Sequence, residues 1–522
     1  MIHMKKLALF ASSLLILAGT AGAQSATPNA RTPQVTTANG VVEGVKETSG
    51  ILTFKGIPFA APPTGDLRWK APQPANSWSG VKKCDHFGPQ AMQAHVYSDM
   101  IFRSAGVSED CLYLNIWAPG GDAKNLPVLV YFYGGGYMAG DGSEPRYDLE
   151  SMAKQGIVAI TVNYRLGVFG FLAHPDLTKE SPNHASGNYG LMDQAAALAW
   201  VHKNIGAFGG DPSRVTIAGE SAGSFSVSAQ MASPLSRDLI AGAIGESGSL
   251  LGDVTKPLAG AEQNGVAFAR VCGASNIADL RAMTAEKLLD AAKGFSNYRF
   301  PVTVDGYFFP KPPVDIYLAG EQAHVPLLVG WNFQEGSYKS IMGNDPPTRD
   351  NYEKGVRKMY GATADAVLRL YAPAGDQDVE EVGTDLASDH FIAYGTWRWS
   401  DIQARTGGKP VYRYLFGDVH PATKPARQPT HSAEIEYALG NLPLNKVYSW
   451  TAVDEGISST MQGYFVNFIK SGNPNGKSIF MAALPQWPAV KPGGPAAVMH
   501  IGVTTGAEVE KHRDRYLFWQ NK

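Results

Sequence analysis

Val215-Thr216-Ile217-Ala218-Gly219-Glu220-Ser221-Ala222-Gly223 decides how the rest of the chain is read. Val215 to Ala218 is an apolar, β-branched run, which marks a buried strand. It runs directly into Gly-Glu-Ser-Ala-Gly, and Ser224 to Met231 then carries small and apolar residues at helical spacing. Strand, sharp turn and helix is the context in which G-x-S-x-G has a mechanical meaning. The turn strains its central residue and lifts that side chain above the sheet. Gly219 and Gly223 fit positions where strand and helix pass too closely for a Cβ. Ser221 is therefore expected to present its hydroxyl at the mouth of a pocket, above the first amides of the helix. The pentapeptide alone is a weak signal in a chain with 57 glycines, and Gly245-Glu246-Ser247-Gly248-Ser249 begins the same way without the closing glycine. Its meaning depends on the surrounding sequence.

Working outward, apolar runs alternate with helical spacing. Leu114 to Trp117, Val128 to Tyr133, Val158 to Tyr164, Pro326 to Gly330 and Val411 to Phe416 read as strands. Asp148 to Gln155, Ala195 to Ile205, Gly252 to Pro301, Asp350 to Tyr371, Val379 to Ile402 and Glu455 to Ser471 read as helical. Strands apolar along their whole length, alternating with helices, predict a mostly parallel sheet covered on both faces. Thr37 to Phe54 reads as short antiparallel edge strands. Gly56 to Pro63 is proline-rich and is expected to be an extended loop.

The 522 residues, 44% hydrophobic and 18% charged, describe an ordinary globular chain with a sizeable core. A net charge of −2 without a basic block argues against a nucleic-acid partner. Lys5 and Lys6, the apolar Leu7 to Leu17, and Ala21-Gly22-Ala23 before Gln24 predict a secretory signal peptide over residues 1–23. That apolar run is too short for a span of ~20 residues, and no other segment reads as a membrane span. The mature chain, 24–522, is expected to be a single exported domain, periplasmic or secreted. Three cysteines, Cys84, Cys111 and Cys272, allow one disulfide and leave one thiol over. They form no His/Cys cluster, which argues against a zinc site, and chemistry at a serine hydroxyl needs no metal or cofactor.

Longer motifs stand in a fixed order. They are Phe54-Lys55-Gly56-Ile57-Pro58-Phe59-Ala60-Ala61-Pro62-Pro63, Ser108-Glu109-Asp110-Cys111-Leu112-Tyr113-Leu114-Asn115-Ile116-Trp117, and Tyr133-Gly134-Gly135-Gly136. Asn163-Tyr164-Arg165-Leu166-Gly167, Gly187-Asn188-Tyr189-Gly190-Leu191-Met192-Asp193-Gln194 and Phe208-Gly209-Gly210-Asp211-Pro212 follow, ahead of Gly-Glu-Ser-Ala-Gly. In this order the motifs resemble the type-B carboxylesterase and cholinesterase family of α/β hydrolases over nearly the whole mature chain. The resemblance implies an α/β-hydrolase fold, a large mostly parallel central sheet with helices on both faces and helical insertions around an active-site gorge.

A serine hydroxyl is a poor nucleophile at neutral pH and needs a base that a third group orients. In α/β hydrolases the chain order is Ser, acid, His. The resemblance selects Glu335, after the strand Pro326 to Gly330, where Gln334 leaves it the only carboxylate of its motif. Of the six histidines after Ser221, it selects His431, before Glu434 and Tyr437, with His420 as the rival. The family usually has glycine where this chain has Ser432. Ala222, Gly135 and Gly136 would supply the amides of an oxyanion hole. The resemblance also pairs Cys84 with Cys111, 27 residues on (111 − 84), a closure that would stabilise by roughly 3.5 kcal/mol on the chain-entropy model. It pairs Arg68 with Glu109 and Arg165 with Asp193, and assigns Ser247 to support the acid and base.

The implied activity is a serine carboxylesterase that hydrolyses neutral, small-molecule esters through an acyl-enzyme. Carbamates, amides or thioesters are the alternative substrates, and a non-catalytic binding module is the alternative role. Cholinesterases hold a choline head on a Trp of the first disulfide loop. Between Cys84 and Cys111 this chain has Phe87, Tyr97 and Phe102 but no Trp, so the resemblance does not extend to a cholinesterase. Tyr137, Phe225 and the stretch Met283 to Phe300 are the candidate pocket walls.

Overall fold

The apolar runs assemble into an eleven-stranded sheet among the described residues. A computed structural model describes residues 32–252, 254–417 and 429–522. Residues Pro33–Lys522 form one compact unit. The predicted signal peptide and His420 lie outside the described residues. In chain order the strands are β1 (Val45–Lys46), β2 (Leu52–Pro58), β3 (Tyr113–Ala118), β4 (Leu126–Phe132), β5 (Val158–Val162) and β6 (Gly210–Glu220). They continue with β7 (Gly242–Glu246), β8 (Leu327–Asn332), β9 (Val411–Phe416), β10 (Ala497–Ile501) and β11 (Gly506–Val509).

Their spatial order is β11-β10-β9-β8-β7-β6-β4-β5-β3-β2-β1. Every neighbour from β10 through β5 runs parallel, and the outer pairs are antiparallel. All five residues of β5 are buried, as are all six of β8. A strand buried on both faces has no use for alternation, which explains the unbroken Val/Ile/Leu runs. Each fully buried Val, Leu or Ile contributes roughly 1.5–3 kcal/mol, so the core sits in this sheet and its covering helices.

Packing sets several boundaries that periodicity left open. Gly56, Ile57 and Pro58, read as loop, end β2. A register irregularity between Phe54 and Ile57 lets the proline close an edge strand without losing an interior ladder bond. The helical stretch Val379 to Ile402 is interrupted by a π-turn at Asp389–Ala393. Asp350 to Tyr371 is broken by a short 3-10 turn at Gly361–Thr363.

The expected Cys84–Cys111 disulfide is not formed: all three cysteines are free thiols. Cys84 is fixed at the sheet margin by its amide to Glu43 and its carbonyl to Lys55, each at 2.7 Å. Cys111 instead shares a small cavity with Ala91, Trp69 and Arg165. The expected ion pairs are present: Arg68 donates to Glu109 at 2.6 Å, and Arg165 donates to both oxygens of Asp193 at 2.8 and 2.7 Å.

Candidate active site

β6 ends at Glu220 and helix α1 (Ala222–Ala232) begins two residues later. Ser221 joins them at φ 54°, ψ −120°, a conformation that a residue with a Cβ rarely adopts. Its amide donates to the Glu246 carbonyl on β7 at 2.9 Å, which holds the turn in place. The flanking glycines are steric necessities. A Cβ on Gly223 would lie 2.0 Å from the Phe132 carbonyl oxygen, and one on Gly219 would lie 2.6 Å from Gly223.

Glu335 follows β8 by three residues and is buried. His431 comes from the loop after β9. That loop is fastened to the Glu335 loop by the Gln334 amide, which donates to the Pro429 carbonyl at 2.9 Å, and by the Gln334–Thr430 bridge. The three side chains meet: Ser221 Oγ lies 2.9 Å from His431 Nε2, and His431 Nδ1 lies 2.5 Å from Glu335 Oε2. With Nδ1 protonated toward Glu335, Nε2 is left free to accept the serine proton.

Behind this row lies a second layer of acids. Glu335 Oε1 accepts from the Asn332 amide at 2.5 Å and from Ser247 Oγ at 2.7 Å. Ser247 Oγ also lies 2.9 Å from Glu434 Oε1. A hydroxyl has one proton, so it cannot donate to both carboxyls. Burial, then the charges of Glu220 and Glu335, raise the pKa of Glu434. With Glu434 protonated, it donates to Ser247 and Ser247 donates to Glu335. Glu246 is raised well above the ordinary range for the same reasons, burial first and then Glu434.

Glu220 lies under the imidazole on its other side, with Oε1 3.4 Å from His431 Nε2. Burial lowers the histidine's pKa, but Glu220 and Glu335 outweigh it and hold it above the ordinary value. Ser432 adopts φ 70°, which explains why glycine suits this place, and its Oγ donates to Glu220 at 2.6 Å.

Gly135 and Gly136, in the loop after β4, take φ 107° and 64°. The Gly135 carbonyl is tied back by the Met138 and Ala139 amides at 3.0 and 3.1 Å. The amides of Gly135, Gly136 and Ala222 donate to no acceptor of the protein among the described residues. All three residues, with Ser221 and His431, line a cavity of about 800 Å³. Tyr137, Phe225 and Phe300 also line it. Met283 does not, its carbonyl being taken by Arg68 at 2.8 Å.

Several residues of the site carried no readable signal in the sequence. Phe391 sits on the π-turn with its ring centroid 5.2 Å from that of His431, and nothing in an apparently continuous helical pattern announces a π-turn. Glu434 and Asn332 were visible only as neighbours of motif residues. Among the described residues no group of three or more His, Cys, Asp and Glu side chains is arranged to hold a metal ion. No helix there is long and apolar enough to cross a membrane.

A serine, a histidine and a carboxylate in hydrogen-bonded sequence, at the carboxyl edge of parallel strands, define an α/β hydrolase. The Carboxylesterase family profile matches residues 31–519. The fumonisin B1 esterase of Sphingopyxis macrogoltabida is 38% identical over 454 residues, covering 84% of this chain and 82% of that one. The para-nitrobenzyl esterase of Bacillus subtilis is 35% identical over 474 residues, covering 87% and 92%. A solved carboxylesterase of Geobacillus stearothermophilus superposes with a TM-score of 0.81 at 30% identity, covering 94% of this chain and all of that one. The chain belongs to the Carboxylesterase family and, with it, to the serine-type carboxylic ester hydrolases.

Proposed function

We propose that Ser221 is the nucleophile, His431 the general base and acid, and Glu335 the group that orients it. The observation that carries this is the unbroken row from Ser221 Oγ through both nitrogens of His431 to Glu335 Oε2, at 2.9 and 2.5 Å. His431 Nε2 takes the Ser221 proton as Oγ bonds to the ester carbonyl carbon. The carbonyl oxygen becomes an anion against the amides of Gly135, Gly136 and Ala222. Removing one such donor typically costs about 2.7–4 kcal/mol. The carbon–oxygen bond to the alcohol then breaks, and His431 returns its proton to the departing oxygen. Water, deprotonated by His431, attacks the acyl-Ser221 ester, and the acid leaves with Ser221 restored.

Replacing Ser221 or His431 by Ala should lower kcat for 4-nitrophenyl acetate by about 10⁴–10⁶-fold, and Glu335→Gln by about 10⁴-fold. An organophosphate should add to one peptide, the one holding Ser221. A loss of less than about tenfold in Ser221→Ala would reject it as nucleophile.

The relatives named for fumonisin B1 and para-nitrobenzyl esters support an organic ester of moderate bulk as substrate. An exported single domain, 24–522, with residues 1–23 removed, is supported by the charged, apolar and small-residue order of the N-terminus. Sequencing of the mature protein should begin at Gln24 and activity should appear outside the cytoplasm. An N-terminus at Met1 would reject export by this route.

A further inference from the structure

One wall of the cavity carries two cations that the hydrolytic steps do not use. Lys256 and Arg299 both line the space that opens onto Ser221. They belong to one piece of structure: Lys256–Pro257 pairs in parallel with Thr303–Val304, and the Lys256 amide donates to the Val302 carbonyl at 2.9 Å. Arg299 is delivered by a strained turn. Helix α2 (Ala285–Ser296) ends at Asn297 with φ 49°, and Tyr298 follows with φ 64°. Two successive residues with side chains in the left-handed region are sparsely populated, and such strain persists only where the surroundings enforce it. Tyr298 is buried and anchors the turn, which leaves Arg299 exposed at the cavity.

The carboxylates of the same cavity are already engaged. Asp99 pairs with Arg146 at 2.8 Å, and Arg146 also with Glu144 at 2.6 Å. Glu220 accepts from Ser432 and faces His431. Neither Lys256 nor Arg299 has an acidic partner among the described residues. Arg299 is nonetheless felt across the space: burial pushes the Tyr97 phenol up, and the charge of Arg299 is the main influence opposing it. The Tyr97 hydroxyl lies 3.3 Å from where a Cβ on Gly136 would stand.

A guanidinium and an ammonium with no acidic partner among the described residues, on the wall of a partly apolar cavity, select for an anion. A carboxylate at one end of the substrate would supply the countercharge that the described residues do not, while Phe225 and Phe300 take the hydrocarbon. We propose that Lys256 and Arg299 form an anion subsite, so that esters carrying a free carboxylate away from the scissile bond are preferred over uncharged esters of the same size. This rests on Ser221 as nucleophile. It concerns which ester is chosen, not how the bond breaks.

The test compares kcat/KM within two matched pairs. Mono-4-nitrophenyl glutarate against 4-nitrophenyl 5-methylhexanoate places the charge on the acyl side, and 3-carboxyphenyl acetate against 3-carbamoylphenyl acetate places it on the alcohol side. In at least one pair the charged ester should win by about tenfold at low salt, and the advantage should shrink in about 0.5 M KCl. Arg299→Gln and Lys256→Gln should each cut that ratio by about threefold or more, and the double variant should abolish it. Arg299→Lys, which keeps the charge, should retain most of the ratio and shows that a loss in Arg299→Gln is not a folding defect; matching thermal midpoints check the same point. A ratio near one in the wild type for both pairs, or one unchanged in the double variant, overturns the subsite. If Ser221→Ala kept its activity, the nucleophile reading would fall instead, so the two failures are distinct.

Discussion

The carboxylate of Glu220 lies 3.4 Å from Nε2 of His431, the ring nitrogen that also faces Ser221. A carboxylate there favours the imidazolium, and it is the leading influence holding the pKa of His431 up against burial. The base must be uncharged to accept a proton, so activity falls as pH drops through that pKa. Glu220→Gln should therefore move the acid limb of the kcat/KM profile to lower pH. A limb that stays in place, measured with a neutral ester, would show that Glu220 does not set it.

The two glycines of the candidate oxyanion hole should not tolerate alanine equally. A Cβ on Gly135 would lie 2.2 Å from the Ala139 carbonyl oxygen, whereas on Gly136 the nearest atoms, of Met138 and Tyr97, are 3.3 Å away. Gly135→Ala must shift the loop and misplace the amides, at a cost of about 10²–10³ in kcat. Gly136→Ala should cost clearly less. Pre-steady-state acylation by 4-nitrophenyl acetate separates the two, and equal losses would count against this reading of the loop.

Glu246 is buried with Oε2 lacking a hydrogen-bond partner among the described residues, and its pKa is raised well above 4.5. The folded protein then keeps a proton that the unfolded chain releases above about pH 4.5. Where the native state binds more protons, stability falls as pH rises. The fall continues until the folded group itself ionises. Glu246→Gln cannot titrate, so its thermal midpoint should decline less between about pH 5 and 9 than that of the parent. Parallel curves would mean that Glu246 is ionised in the fold.

Denatured without reductant, the protein should titrate all three of its cysteines, whereas a Cys84–Cys111 bridge would leave one. In the native state reaction should be slow, because the thiolate is the reactive form. Burial pushes Cys84 to about 12 and Cys111 well above its ordinary value. Cys272, less buried, should react first.

Particular residues show how much could be read without coordinates. Val215 to Gly223 gives strand, elbow and helix outright, because β-branched residues, glycines and small helical residues each act over a few positions. Glu335 and His431 needed the resemblance, since a loop glutamate and a loop histidine carry no local mark that sets them apart from other loop residues. The disulfide expectation rested on the resemblance alone; whether two thiols meet is set by tertiary packing, and all three stay free.

The sequence by itself determined the strand runs, the elbow at Ser221 and the order of motifs, because backbone propensity, steric room and turn chemistry are short-range. Only the tertiary structure decided that residues 210 and 96 positions apart meet at one imidazole. The same holds for the glutamates buried together behind the histidine and for the two cations on one wall, which have no acidic partner among the described residues. Desolvation and charge balance depend on everything packed around a group, and chain separation says nothing of that.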